Sequence, residues 1–381
     1  MPESPASDQV RRYLRLQMAD GIGPILARRL IDHFETIDAV LSASPGDLAG
    51  VEGIGRERAR SLANARDDPA VDREIELAAK LGIRIVCLDE AEYPHPLRHI
   101  NDPPLCLYIR GRLEPEDAIA IAVVGSRKCT RYGAEQAERF GAALASAGFT
   151  VISGLARGVD GAAQRGAVAA GGRSIAVLGN GLATVYPPEH GELAMQVAAR
   201  GAVISELPLE TPPEASNFPH RNRIIAGLGL GVLVIEAAHR SGARITARLA
   251  SEYNREVFAV PGRVDTPTAH GVNAMIRDGQ AKLVICLQDI LDDLGDVGRM
   301  MAPADANSPV SADTASLDPP GLTPDESTVW GALGEEAVEL DELARATKLR
   351  IETVAAILTR LQLRGAVTAL PGQRFERRKR D

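Results

Sequence analysis

The sequence predicts a Rossmann-like, doubly wound α/β domain with a mainly parallel sheet, preceded by a helical module and followed by a winged helix. Three observations lead there. Short continuous apolar runs recur at 119–124, 149–152, 174–178, 202–204, 232–235 and 256–260, as expected of strands covered on both faces. Alanine-rich helical stretches, 134–147 and 161–170 among them, fit between the runs as crossovers. The runs end in loops bearing Ser126, Arg127, Ser153, Arg157, Asn180 and Glu206, and sheets of this class bind ligands at the carboxyl ends of their strands.

Composition bounds the function. The chain has 381 residues, 45% hydrophobic and only 3% aromatic, enough for two to four domains with aliphatic cores. A net charge of −8 argues against coating nucleic acid by bulk charge, yet allows a local basic groove on an acidic body. Cys87, Cys106, Cys129 and Cys286 form no CxxC, and no Cys/His spacing suggests zinc. No apolar run approaches the ~20 residues of a membrane span, and the N-terminus lacks a signal pattern, so a cytoplasmic protein without a membrane partner is expected. No loop reads GxGxxG or GxxxxGK[ST], which disfavours a nicotinamide cofactor or a Walker-type NTPase; no cofactor and no metal are expected.

Residues 1–80 read as helical, with Leu14, Ile25, Leu26, Leu30 and Phe34 at helical spacings. Gly21-Ile22-Gly23 and Gly53-Ile54-Gly55 each precede a helix, as in SAM/helix-hairpin-helix-like modules. There glycines let backbone amides approach a phosphate; here they also suit plain tight turns, and both readings stand. The α/β domain occupies 81–295, entered through strand-like runs at 83–88 and 105–109 with Pro-rich loops between them. Residues 296–321, dominated by Pro, Ala, Ser and Asp, read as a linker. Residues 322–381 start with a capped helix at Leu322-Thr323-Pro324-Asp325-Glu326. Two further helices and a hairpin turning at Pro371-Gly372 make a winged helix, with a basic tail. The face of its recognition helix is mixed, with Arg350, Glu352, Thr353, Thr359 and Arg360.

The stretch 217–227 is the most unusual. Phe218, Arg221, Asn222 and Arg223 lie between a proline turn and an apolar run. An extended backbone sets both arginines on one face, whereas a helix sets them about 200° apart. A helix N-terminus with solvated arginines is one reading. An anion-binding surface beside an aromatic platform is the other.

These motifs together resemble the bacterial DNA-processing protein A (DprA/Smf) family. The matching stretches are Tyr93-Pro94, Asp102-Pro103-Pro104, Val123-Val124-Gly125-Ser126-Arg127 with Tyr132-Gly133, 151–160, Ala176-Val177-Leu178-Gly179 with Tyr186-Pro187, Ile204-Ser205-Glu206, 218–227, Glu236-Ala237 with Ser241-Gly242, and 257–262. The resemblance is dense over 90–285. It implies a non-enzymatic single-stranded DNA-binding protein that protects incoming DNA during natural transformation and loads the RecA recombinase. It also implies a basic DNA pocket in the Rossmann-like domain and a homodimer formed through that domain. Carried over by motif, Arg127 of Gly125-Ser126-Arg127 clamps a phosphate and Phe218 stacks on a base. Arg221, Asn222 and Arg223 line the same pocket, the two arginines setting the salt dependence unless one of them instead fastens the loop to Glu206 or Glu236. Ser153, Gly154, Arg157 and Gly158 form the neighbouring loop, and Ser241, Gly242 and Arg244 complete the DNA-binding set.

The chain departs from the family in places. Gln164 stands where members usually carry His, and Ala215 where some carry Lys. Where members often carry Leu-Ile-Thr after Ser-Gly-Ser, Ala243-Arg244-Ile245-Thr246 adds a charge. Asp160 also suits a helix cap, and Glu206 or Glu236 suits an anchor for a loop or a partner for Arg127 or Arg157. Two other functions compete. A nucleotide phosphoribohydrolase is echoed at Ser241-Gly242…Thr246, but no acid follows Thr246. A DNA-binding regulator would act through the winged helix.

Overall fold

The computed structural model describes residues 8–301, 322–333, 338–363, 366–370 and 374–377. The chain divides into two compact units, Met1–Ala304 and Asp305–Asp381.

The first unit is built on a nine-stranded sheet. Its strands are β1 (Arg84–Cys87), β2 (Cys106–Gly111), β3 (Ala120–Gly125), β4 (Thr150–Ser153), β5 (Ser174–Val177), β6 (Ala202–Ser205), β7 (Gly231–Ile235), β8 (Glu256–Val260) and β9 (Lys282–Leu283). They lie in the order β1-β2-β6-β5-β4-β3-β7-β8-β9. The pairs β1/β2 and β2/β6 are antiparallel, and every other pair is parallel. The mainly parallel, doubly wound sheet is thus the one expected. The strand β9 is an addition, two exposed residues held by Lys282 ion pairs to Glu256 and Asp293; it is too short to leave an apolar run.

Side chains alternate across the pleat, and the core divides accordingly. Ile121 and Val123 pack under the helices Arg131–Ser146 and Val159–Ala169 with Phe140 and Ala163. Ala120, Ala122 and Val124 pack under the helices Asn217–Leu228 and Gly242–Glu252 with Ile224, Ile225, Ala243 and Ala247. The central strand β3 is therefore covered on both faces, which is why its run is apolar throughout.

The N-terminal helices Asp8–Gln17, Pro24–Phe34, Ile37–Ser42, Pro45–Leu48, Arg56–Asn64 and Ala70–Lys80 share a core with Cys87, Leu105, Cys106 and Tyr108 of the sheet. Both Gly-x-Gly turns start helices, with Gly23 and Gly55 as N-caps. The turns are packed reciprocally: Arg58 lies against Gly21, and Leu26 and Arg29 against Gly53.

Residues Asp296–Met301, read as the start of the linker, are helical; the remainder of the linker, 302–321, lies outside the described residues. In the second unit the helices Pro324–Ala332, Leu340–Thr347 and Ile351–Leu363 accompany an antiparallel sheet. That sheet runs β10 (Val338–Glu339), β12 (Arg374–Arg377), β11 (Val367–Leu370). Thr323 and Glu326 form the expected capping box. Glu326 is 1% exposed and also pairs with Arg360 at 3.2 Å, so one arginine of the recognition helix is tied to the first helix. The turn at Pro371-Gly372, the side chains of Glu352 and Thr359, and the tail from 378 lie outside the described residues. No helix among the described residues is long and apolar enough to cross a membrane.

Candidate nucleic-acid interface

Strands β3 and β7 are neighbours in register, Gly125 opposite Ile235. The chain winds away from β3 in one direction to β6 and returns to β7 on its other side. Their carboxyl ends are therefore the switch point at which such a sheet opens a crevice. Glu236, 4% exposed and at φ +49, fastens the loop that leaves β3. Its carbonyl accepts from Ser126 N at 2.7 Å, and its carboxylate accepts from Thr130 N at 2.8 Å and from the Thr130 hydroxyl. With those groups spent on Glu236, Arg127 and Lys128 project outward and are exposed.

The helix Asn217–Leu228 brings the aromatic to this loop. Phe218, in its first turn, lies over Gly179, where a Cβ would come within 2.9 Å of the ring. The Arg127 guanidinium stands over the Phe218 ring, 4.5 Å from its centroid. Tyr186 lies beside it at 5.9 Å, with Arg157 6.0 Å over the Tyr186 ring. The result is an aromatic pair faced by two arginines at the mouth of a cavity.

Being helical, Arg221 and Arg223 diverge by about 200°, and neither is solvated: they are 5% and 6% exposed. The Arg221 guanidinium donates to Gly154 O at 2.8 Å and to Val177 O, joining the ends of β4 and β5. Gly154 is required there, since a Cβ would stand 2.2 Å from that guanidinium. Burial pushes Arg221 down to about 10, with Asp160 opposing the fall. Arg223 turns the other way and pairs with Glu206 and, at 3.3 Å, with Asp102. Between them Asn222 donates to Gly242 O at 3.3 Å and ties this helix to the next.

A cavity of about 500 Å³ opens at the switch point. It gathers Gly125, Ser126, Arg127, Phe218, Arg221, Asn222, Ser241 and Gly242 from the predicted set. Gly154 and Arg157 join Arg127 and Phe218 in an adjoining recess. Four predicted residues are placed elsewhere. Ser153 is fully buried, its hydroxyl donating to Val123 O at 2.6 Å. Gly158 lies beneath the loop, where Val159 N donates to Ser126 O. Arg223 faces its two acids, and Arg244 lines a neighbouring groove and donates to His239 O. Arg157 pairs with Glu189 across an exposed surface, not with Glu206 or Glu236.

The acids hold the frame. Asp160 accepts from Gly154 N at 3.1 Å on the cavity floor, and burial raises its carboxyl above the usual value while Arg221 draws it back. Among the described residues no carboxylate forms an ion pair with Arg127, Lys128 or Arg240, though the buried Asp160 carboxyl feels Arg127, so these three carry most of the available positive charge of the cavity. Lys128 and Arg240 were not singled out from the sequence, and Tyr186 entered only within the matching stretch Tyr186-Pro187. Lys128 directly follows Gly125-Ser126-Arg127 and Arg240 directly precedes Ser241-Gly242, so adjacency was the available signal.

Comparison with known proteins gives the family. Residues 84–295 match the family described as DNA recombination-mediator protein A. Residues 311–373 match the DprA winged helix domain, and 13–68 a SAM-like helix-hairpin-helix tandem. The chain is similar to Protein Smf of Synechocystis sp., 35% identical over 98% of this chain and 100% of that one. Among solved structures it resembles DNA processing protein A (DprA) of Streptococcus pneumoniae, with a TM-score of 0.64 and 31% identity over 74% of this chain and 97% of that one. It also resembles DNA processing protein A of Helicobacter pylori, with a TM-score of 0.50 and 26% identity over 56% of this chain and 95% of that one. That structure is described as giving insight into a single-stranded DNA binding mode.

Proposed function

Because the chain belongs to the DNA recombination-mediator protein A family, we propose that it binds single-stranded DNA without reading sequence, seated in the cavity at the β3/β7 switch point. The observation that carries this reading is Arg127 standing 4.5 Å over the Phe218 ring at that mouth, with no carboxylate partner among the described residues. An aromatic face stacks any base, and an unpaired guanidinium beside it takes a phosphate with salt-dependent affinity. Asp160 and Glu236 hold backbone amides, not reacting groups, which fits a binding protein in place of an enzyme. In this reading the protein acts in the cytoplasm, as a homodimer through the α/β unit. It protects incoming DNA during natural transformation and delivers it to the RecA recombinase.

Fluorescence anisotropy with single strands of unrelated sequence and the matching duplex tests the binding. Equal affinity among single strands and weaker affinity for duplex are expected; a preference for duplex refutes the reading. For delivery, RecA filament formation on DNA coated with single-strand-binding protein should accelerate when this protein is added. An unchanged rate rejects the RecA step and leaves the binding reading to its own test.

A further inference from the structure

A second groove, of about 780 Å³, opens from the cavity and shares Arg240, Ser241 and Gly242 with it. It runs along the outer face of the helix Gly242–Glu252. That helix buries Ala243, Thr246, Ala247 and Ala250, so positions 244 and 248 fall together on the opposite stripe. Arg244 and Arg248 are one turn apart, about 6 Å along the axis, close to the separation of successive phosphates in an extended single strand. No Asp or Glu lines the groove among the described residues. Two acids border it. Glu252 lies 3.5 Å from Arg248 in an exposed pair, and Asp278 is held by Arg277 while also feeling Arg244 and His239. Exposed pairs of this kind contribute about 0–1 kcal/mol, so a phosphate competes with Glu252 for Arg248 at little cost. The passage between the two spaces is Gly242, exposed, with Asn222 Nδ2 at 4.0 Å as the nearest atom a Cβ would meet.

We infer that this groove carries the continuation of a single-stranded polynucleotide that leaves the cavity over Gly242, with Arg244 and Arg248 each taking one phosphate. This rests on the reading of the cavity as a single-stranded DNA site. Arg244 is already placed by its 2.8 Å bond to His239 O, and the Arg248 side chain is 71% exposed and can swing to the strand without unfolding the helix. The groove therefore sets how many nucleotides one protomer occupies and how steeply affinity falls with salt.

The test compares oligothymidylates that fill the cavity alone (about 3 nucleotides) with ones that also span the groove (about 10, within the ~4–16 typical of single-strand sites). For the longer strand, Arg248→Gln is expected to reduce the slope of log affinity against log salt by about 0.7, and adding Arg244→Gln by about 0.7 again. Arg248→Gln should leave the short strand bound as by the wild type. Wild-type slopes retained by both variants on the long strand overturn the groove and leave the cavity standing. A wild type that binds neither length overturns both.

Discussion

Replacing Phe218 by alanine isolates the base platform from the charges around it. In the free protein the Arg127 guanidinium occupies the ring at 4.5 Å and Arg221 borders it at 5.9 Å. A base takes the ring only if Arg127 leaves it for a phosphate. The base gains about 1–3 kcal/mol by stacking, and the exposed cation–π contact given up is about 0.5–1 kcal/mol. From the middle of each range the difference is about 1.25 kcal/mol, roughly an eightfold rise in Kd for Phe218→Ala. Because no charge is lost, the slope of log affinity against log salt should stay that of the wild type. Anisotropy titrations of a short oligothymidylate across a salt series read both quantities. A Kd within twofold of the wild type shows that no base uses the ring. A slope that falls as for a lost phosphate contact shows that Phe218 acts only by placing Arg127, and either result refutes the division between stacking and charge.

The charges give complementary predictions. Arg127→Ala should lower the salt slope by about 0.7, so its defect in Kd shrinks as salt rises; a defect constant across salt removes Arg127 from the phosphate. Arg223→Met strips two partly exposed acids of their partner, so the urea midpoint should fall, by less than the ~3–5 kcal/mol that breaking a fully buried pair from one side costs. Its salt slope on DNA should match the wild type, since Arg223 faces Glu206 and Asp102. Asp160 is a buried carboxyl whose value is raised above 3.8, so the folded state binds its proton more tightly than the unfolded chain. The cost of its charge is present at neutral pH and is relieved as pH falls through the raised value towards 3.8. Asp160→Asn should remove that part of the dependence of urea stability on pH, and curves that run parallel for the two proteins exclude it.

What could be read in the sequence follows from what buries each element. The strands β3 to β8 were legible because helices cover both their faces, so every position must be apolar, as in Ile121-Ala122-Val123-Val124. The strand β9 was not, because its two residues are exposed and ion pairs to Glu256 and Asp293 hold it. The loop acids were legible as anchors, and an arginine of the 217–227 stretch as a partner for one of them; which arginine takes Glu206, and that Thr130 takes Glu236, were not. Glu236 binds Thr130 and Glu206 binds Arg223, contacts 106 and 17 residues apart in the chain, which no local spacing encodes.

The same limit explains the arginines of the helix Asn217–Leu228. Composition shows two cations beside a phenylalanine; it does not show that carbonyls of Gly154 and Val177 wait for one and two carboxylates for the other. A buried guanidinium satisfied in this way fixes the geometry of the cavity and has little capacity left for a mobile phosphate. An exposed one without an ion-pair partner, like Arg127 held only by the Phe218 ring and the field of Asp160, has most of its capacity left. In the proposed reading the salt-dependent work therefore passes from Arg221 and Arg223 to Arg127, Lys128 and Arg240, while the helix keeps the task of presenting Phe218. Sequence identifies where the cations are dense; burial decides which of them hold the frame and which are offered to a ligand.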